Sequence, residues 1–307
     1  MIQTIARKRY SCPEPSAGII LLGFGLRVSC LLLLGCIFWT SFAVAQERTV
    51  EVSVTPPEQR VELTLIDGSV LIGRVEEAGD PFRFVVVSGI EMTIPLANVR
   101  AISQAKGTVE EGEYWPEDPN RTRLFFGPTA RTIPKGQGYL AVYEIVMPFL
   151  GFGITDNFIL AGGTPLVFGG GGSRPFWVAP KLRVINSEKT QGAVGVLAVA
   201  VEDENFGLLY GVVTHGTPKS AFSLGVGYGF ANGDLADSPA VMVGGEVRTG
   251  RGLKLVTENY LFPGGTGLVS FGPRFFGRKL SADLGLVIPL GFGEMFGFPL
   301  VNFVYNF

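Results

Sequence analysis

The chain has 307 residues, of which 47% are hydrophobic and only 17% charged, and its mean hydropathy is +0.34. Beyond Gln46 the sequence contains no run of 18 apolar residues, so the hydrophobic excess does not come from membrane-spanning helices there. It is spread over many short segments rich in glycine (43) and phenylalanine (24), a composition that favours β-strands.

Residues 1–45 have the features of a signal peptide. Four basic residues precede or flank an apolar stretch from Cys30 to Val44, and Ala43-Val44-Ala45 fits a small-x-small cleavage site before Gln46. A permanent N-terminal anchor is the alternative. A lipoprotein site at Cys36 fits less well, because strongly apolar sequence continues after it.

Removal of this segment changes both the cysteine content and the charge. All three cysteines (Cys12, Cys30 and Cys36) precede the cleavage site, so the exported chain would have no disulfide and no cysteine-based metal or redox site. Four basic residues and one acidic residue are also lost, which leaves 21 basic and 26 acidic residues and a net charge of −5. This balance argues against a nucleic-acid partner.

Residues 46–104 are predicted to form a small β domain. Val61, Leu63 and Leu65 alternate with polar residues, Asp67-Gly68 supplies a tight hairpin turn, and a second alternating strand follows. Three further short strands end at Ile102, so five strands in about fifty residues suggest a small barrel.

This segment resembles the Sm-like/SH3-like barrel family. The resemblance is carried by the run from Val61 to Val75 and by the Ile-Pro-x-x-x-Val-x-x-Ile pattern at 94–102. The Arg-Gly signature with which that family binds RNA is missing, since Ala97-Asn98-Val99-Arg100 stands in its place. The resemblance therefore implies the fold and not RNA binding. In an exported protein, a protein-contact role through residues 50–104 is expected instead.

Residues 105–121 are acidic and contain two prolines, which indicates a linker. The remaining residues, 122–307, contain twelve candidate strands of about ten residues, the length that crosses a bilayer as a tilted strand. They are 122–130, 138–149, 157–168, 176–186, 192–202, 206–215, 220–230, 240–248, 253–262, 267–277, 280–290 and 299–307.

Apolar residues alternate with small or charged ones most clearly in 176–186, 220–230, 253–262 and 280–290. In 220–230, large apolar side chains face one way while Ala221, Ser223 and three glycines face the other. The first, third and fifth candidate strands are ambiguous, because both of their faces are mainly apolar or small. A soluble β-sandwich would also alternate, but its strands are usually shorter.

The chain resembles bacterial outer-membrane β-barrel proteins, which commonly end in a strand whose last residue is Phe. The residues Val301, Phe303, Tyr305 and Phe307 match that ending. The resemblance implies an outer-membrane location in contact with lipid, recognition of these four residues by the barrel-assembly machinery, and a periplasmic N-terminal domain. With residue 121 in the periplasm, the longer connections, and the segment 132–138, are predicted to face outward.

Nine charged residues are predicted to face the lumen. They are Glu144, Lys181, Arg183, Glu246, Arg248, Lys254, Glu258, Arg274 and Asp283. Twelve strands at ~4.8 Å spacing and ~40° tilt make a barrel about 24 Å across, with a lumen of roughly 10 Å. The charges could line an open solute pore or pair with one another in a plugged interior; the presence of both signs favours the plugged one.

No catalytic, cofactor or metal site is predicted. His215, the only histidine, falls at the periplasmic rim, which is the wrong end for a lipase acting on the outer leaflet. The glycines 169–172 lack the Lys-Ser/Thr of a phosphate-binding loop. The expected function is a non-enzymatic narrow pore or structural envelope component; the alternatives are an outer-membrane lipase- or protease-type enzyme, and a soluble exported β protein that binds a partner.

Overall fold

A computed structural model describes residues 52–166, 174–291, 293 and 296–307. Over these residues the protein is all-β, with one 3₁₀ turn at Leu96–Asn98. None of the described residues belongs to a helix long and apolar enough to cross a membrane. The predicted signal peptide, the three cysteines and glycines 169–172 lie outside the described residues.

Residues 61–104 form a five-stranded antiparallel sheet in the order β4-β3-β2-β1-β5. The strands are β1 (Val61–Leu65), β2 (Val70–Glu77), β3 (Phe82–Val86), β4 (Glu91–Ile94) and β5 (Val99–Gln104). The predicted Asp67-Gly68 turn joins β1 to β2, with Gly68 at φ +88° and the Ser69 N–H bonded to the Asp67 carboxylate at 2.8 Å. Leu63, Phe82 and Phe84 are fully buried and form the core of this sheet.

The segment predicted as a linker contains a short hairpin, β6 (Gly107–Glu110) and β7 (Glu113–Pro116). Gly112, at φ +77°, allows its tight turn. The hairpin is therefore an ordered connection between the five-stranded sheet and the second part of the chain.

Residues 138–306 form a closed antiparallel β-barrel. Its strands are β8 (Gly138–Tyr143), β9 (Met147–Gly153), β10 (Phe158–Gly163), β11 (Phe176–Val178), β12 (Lys181–Asn186), β13 (Thr190–Val201), β14 (Glu204–Gly216), β15 (Ser220–Ala231), β16 (Asp234–Leu235), β17 (Ala240–Gly250), β18 (Leu253–Leu261), β19 (Gly267–Phe276), β20 (Leu280–Leu290) and β21 (Phe298–Asn306). β11 and β12 are two pieces of one strand, interrupted at Ala179-Pro180, and both pair with β10 and β13. β16 pairs only with β15, so the wall has twelve strands, which confirms the predicted number.

The identity of the first strand was predicted wrongly. Residues 122–130 are not a wall strand; within them Arg123 and Pro128 form a single isolated bridge. The closing strand β21 pairs instead with β8, with Tyr305 opposite Leu140. The predicted strand 138–149 is in fact two strands, β8 and β9, joined by a turn at residues 144–146, and this split restores the count of twelve.

The two faces of the wall differ as the alternation predicts. On β15 the side chains of Phe222, Leu224, Val226 and Tyr228 point outward and are 42–51% exposed, whereas Ser223 and Gly225 between them are buried. On β20, Leu284 and Leu286 point outward while Asp283 is buried. An apolar outer surface around a polar interior is the arrangement of a barrel that lies in lipid.

The two ends of the barrel also differ. At one end, here called the short-turn end, five turns of two to four residues connect the strands: 154–157, 187–189, 217–219, 251–252 and 277–279. The opposite, long-loop end carries four longer connections, 164–175, 232–239, 262–266 and 291–297, and two short turns, 144–146 and 202–203. The predicted outer segment 132–138 is at the wrong end, because Gly136 and Gln137 bond the backbone of Gly153 at the short-turn end.

Candidate functional site

Residues 118–133, here called the lumen segment, fill the barrel interior. The chain comes from the β6–β7 hairpin at the short-turn end, reverses at residues 124–127, where the Leu124 N–H bonds the Gly127 carbonyl at 2.9 Å, and returns to begin β8. Phe125 at the tip is fully buried, and Leu124 is 1% exposed. Wall side chains alone fill a barrel of about eight strands, so a twelve-stranded barrel has room for this additional segment.

Glu258, on the inner face of β18, holds the tip of the segment. One of its carboxylate oxygens accepts the backbone N–H groups of Phe125, Phe126 and Gly127, at 2.7, 3.1 and 2.9 Å. The other accepts the Tyr260 hydroxyl at 2.8 Å. A carboxylate is the acceptor best suited to several converging N–H donors, because each such bond is charge-assisted.

Gly127 is required for this close approach. A Cβ added there would lie 2.7 Å from the Tyr260 hydroxyl and 3.1 Å from the Glu258 carboxyl carbon. Any side chain at this position would therefore push the tip away from its acceptor.

Arg274, on β19, is fully buried and binds the first arm of the segment. Its guanidinium contacts the Asp283 carboxylate at 2.6 and 3.1 Å and Asp118 at 3.2 Å. It also donates to three backbone carbonyls of the segment, those of Asn120, Arg123 and Leu124. The planar, multivalent donor geometry of arginine suits this role, which lysine could not reproduce.

Lys181, on β12, binds both arms of the segment at once. Its ammonium donates to the carbonyls of Thr122, Thr129 and Arg131 at 3.0, 3.0 and 2.8 Å. These three acceptors use all three of its protons, so the buried amine is fully hydrogen-bonded.

Lys254 and Glu246 complete the cluster near the short-turn end. The Lys254 ammonium lies 3.1 Å from Asp118 and 3.2 Å from Glu246, and Glu246 also pairs with Arg131 of the segment. The charged groups of the wall are therefore paired with the segment as well as with one another. Asn302 and Asn306 of β21 add bonds to the carbonyls of Phe125 and Pro119.

The other three predicted lumen charges do not belong to this cluster. Glu144 lies in the β8–β9 turn at the long-loop end, where burial raises the pKa of its carboxyl. Arg183 bonds Asn157 and the Asp156 carbonyl near the short-turn end. Arg248, at the same end, lies 4.9 Å from the Trp115 ring of the hairpin.

Contacts at the short-turn end connect the barrel to the N-terminal residues of the described chain. Arg278 pairs with Glu62 of β1 at 2.8 Å, and Lys219 pairs with Glu110 of the hairpin at 2.8 Å. The hydrogen bond from Lys219 lowers the pKa of the Glu110 carboxyl.

The environment of His215 gives no sign of a catalytic triad. It lies at the end of β14 towards the short-turn end, and its Nδ1 is 2.8 Å from the Thr190 hydroxyl. Across the described ranges, no group of three or more metal-ligating side chains is found.

The outer face of β21 carries the four aromatic and apolar residues of the predicted assembly signal. Phe303, Tyr305 and Phe307 are 44–51% exposed, and Val304, between the first two, is buried. The Phe307 backbone exchanges two hydrogen bonds with Gly138, at 3.0 and 3.1 Å, and its ring lies 5.8 Å from that of Phe152. Phe307 thus takes part in the closure of the barrel.

No protein-family model matches the chain, and no curated protein matches it. Among solved structures, a KdgM porin in complex with disordered oligogalacturonate is similar at 8% identity and a TM-score of 0.44, over 56% of this chain and 98% of that one. An outer-membrane-expressed OmpT of Vibrio cholerae is similar at 9% identity and a TM-score of 0.32, over 81% of this chain and 95% of that one. Pseudomonas aeruginosa OccK11 is similar at 11% identity and a TM-score of 0.30, over 84% of this chain and 98% of that one. These similarities are too distant to assign a function.

Proposed function

We propose that this protein is a non-enzymatic bacterial outer-membrane barrel whose lumen is a narrow solute pore, closed in the described state by the lumen segment. The observation that carries the proposal is the closed wall with an apolar outside and a buried, charged inside. A closed barrel leaves no unpaired strand edge for lipid to satisfy. The segment closes this lumen by noncovalent bonds alone, so its release would open a path.

The membrane location is tested by extraction and by gel mobility. We expect the protein to resist carbonate extraction, to dissolve in detergent, and to migrate faster before heating than after, because a closed barrel stays compact until heat unfolds it. Release by carbonate alone would contradict the proposal. Planar-bilayer conductance of the wild type and of a variant that frees the lumen segment then tests the pore.

We also propose that the short-turn end faces the periplasm, with residues 46–104 as a periplasmic Sm-like module, residues 105–121 as the connection and residues 122–307 as the barrel domain. Short periplasmic turns and longer outer loops are the rule for such barrels. The strand order of the five-stranded sheet and its Asp67-Gly68 hairpin support the Sm-like assignment. The module would hold a periplasmic protein partner.

The C-terminal strand is proposed to be the signal read by the barrel-assembly machinery. We expect Phe307→Ala to reduce the inserted fraction in cells severalfold, while the free energy of unfolding of the purified barrel falls by only about 1–2 kcal/mol, because the backbone bonds to Gly138 remain. Phe275→Ala, which removes an outward aromatic near the short-turn end of β19, is the matched control. Equal insertion of both variants would remove Phe307 from this role.

A further inference from the structure

A second feature of the lumen is an apolar cavity of about 330 Å³ on the long-loop side of the lumen segment, here called the outer cavity. Phe126 and Pro128 of the segment form its floor. Leu208, Met242 and Leu268 are among the wall residues that surround it. Its volume is at the lower end of the ~300–1,000 Å³ range of small-molecule sites.

The space exists because small residues occupy the inner face of the wall there. Gly225 and Gly227 point inward on β15, and Gly227 lies directly opposite Ala240 of β17. A Cβ on Gly225 would come only 3.3 Å from the Met242 side chain, so larger residues would take up the cavity. Two of the three alternating glycines of 220–230 thus account for part of the space.

The lining of the outer cavity disfavours a charged ligand. Its fifteen residues include no Asp, Glu, Lys, Arg or His. The Tyr260 hydroxyl is already bonded to Glu258, whose carboxylate is occupied by the tip of the lumen segment. An ion placed here would lose its hydration without gaining a charged partner, whereas an apolar solute would gain by leaving water.

The other side of the lumen segment has the opposite chemistry. A cavity of about 180 Å³ at the short-turn end is lined by charged groups, including Arg121, Arg131, Arg183 and Lys254. The segment therefore separates an apolar compartment from a charged one, and the apolar character is specific to the outer side.

We propose that the outer cavity is a binding site for an uncharged hydrophobic small molecule, which enters from the long-loop end and rests on Phe126 and Pro128. This inference rests on the proposed function, since it names the solute class of the same lumen. Binding can nevertheless be measured whether or not the barrel conducts.

Photolabelling tests the site directly. The full-length protein in lipid nanodiscs is incubated with increasing amounts of a diazirine derivative of decanol, illuminated, and mapped by mass spectrometry. We expect saturable labelling of the inward residues Leu208, Met242 and Leu268. Outward residues such as Leu224 should be labelled without saturation, because they contact bulk lipid.

Two variants of β17 provide the comparison. Ala240→Phe places a ring in the outer cavity and should reduce the inward labelling about tenfold, because the ring takes the apolar space that the probe would fill. Val247→Phe adds the same ring to the outer face of the same strand and should leave inward labelling unchanged. Ala240→Leu serves if the larger residue prevents folding.

Labelling confined to outward residues, or inward labelling that Ala240→Phe leaves unchanged, would overturn the site. Saturable labelling with no conductance in any variant would keep the site and reject the pore. Conductance without inward labelling would keep the pore and reject the binding site.

Discussion

Glu258→Ala is expected to release the tip of the lumen segment and open the barrel. The substitution removes the carboxylate that accepts three buried N–H groups, those of Phe125, Phe126 and Gly127. A buried donor left without an acceptor costs about 1–3 kcal/mol. Three such donors therefore offset much of the free energy that holds the tip in place. We expect the wild type to pass little current in planar bilayers and the variant to show stable open-channel steps.

Cysteine labelling measures the same release independently of current. Residues 46–307 contain no cysteine, so a single Ala130→Cys substitution reports on the segment alone. Ala130 is fully buried, and its N–H bonds the Thr214 hydroxyl at 2.9 Å. A membrane-impermeant maleimide should modify this cysteine slowly in the otherwise native barrel and much faster when Glu258→Ala is added.

Asn259→Ala is the control, because Asn259 is the next residue on β18 but its amide bonds the Val243 carbonyl on the outer face. It should change neither the current nor the labelling rate. A Glu258→Ala barrel that remains silent and unlabelled would show that the segment is a permanent filling, and the protein would then be a structural component of the envelope.

The sequence predicted the barrel better than it predicted the contents of the lumen. Alternation on the longer strands follows from the two different solvents on the two faces, so strands such as 220–230 and 280–290 were found with the correct side outward. The closing strand 299–307 was also found, because its aromatic residues fall on alternate positions.

The missed turn at 144–146 contains none of the residues that usually mark a turn. Glu144 and Ile145 adopt φ values of +48° and +65°, a region that normally calls for glycine or asparagine. Because neither glycine nor asparagine occurs at 144–146, the sequence pattern predicts a single strand over residues 138–149. The tertiary pairing of β8 with β21 and of β9 with β10 imposes this reversal from outside the local sequence.

The sequence of the lumen segment does contain features that argue against a wall strand. Residues 122–130 include Arg123, Gly127 and Pro128, and a proline within a strand interrupts its hydrogen bonds. Both faces of this stretch carry polar as well as apolar side chains, because a segment inside the lumen is surrounded by the barrel wall and has no face towards lipid. The partners of its backbone groups, such as Glu258 and Lys181, are distant in sequence and could not be assigned without the fold.

Arg274→Met is expected to destabilise the barrel strongly. It removes a fully buried guanidinium that binds Asp118, Asp283 and three carbonyls of the lumen segment. Breaking one side of a buried ion pair costs about 3–5 kcal/mol, since the remaining carboxylate stays buried without its partner. Urea titration of the purified barrel in lipid vesicles, followed by tryptophan fluorescence, measures the loss; Trp177, buried in the lumen, reports on the interior.

Arg278→Met provides the same chemical change at the surface, four residues further along the chain. Arg278 pairs with Glu62 at 2.8 Å but remains partly exposed, so its loss should cost about 0–1 kcal/mol. The stability lost in Arg274→Lys should lie between the losses in these two variants, because lysine keeps the charge but not the planar donors. Adding Asp283→Leu to Arg274→Met should restore part of the stability by removing the unpaired carboxylate. If Arg274→Met costs no more than Arg278→Met, the buried cluster does not hold the lumen segment in place.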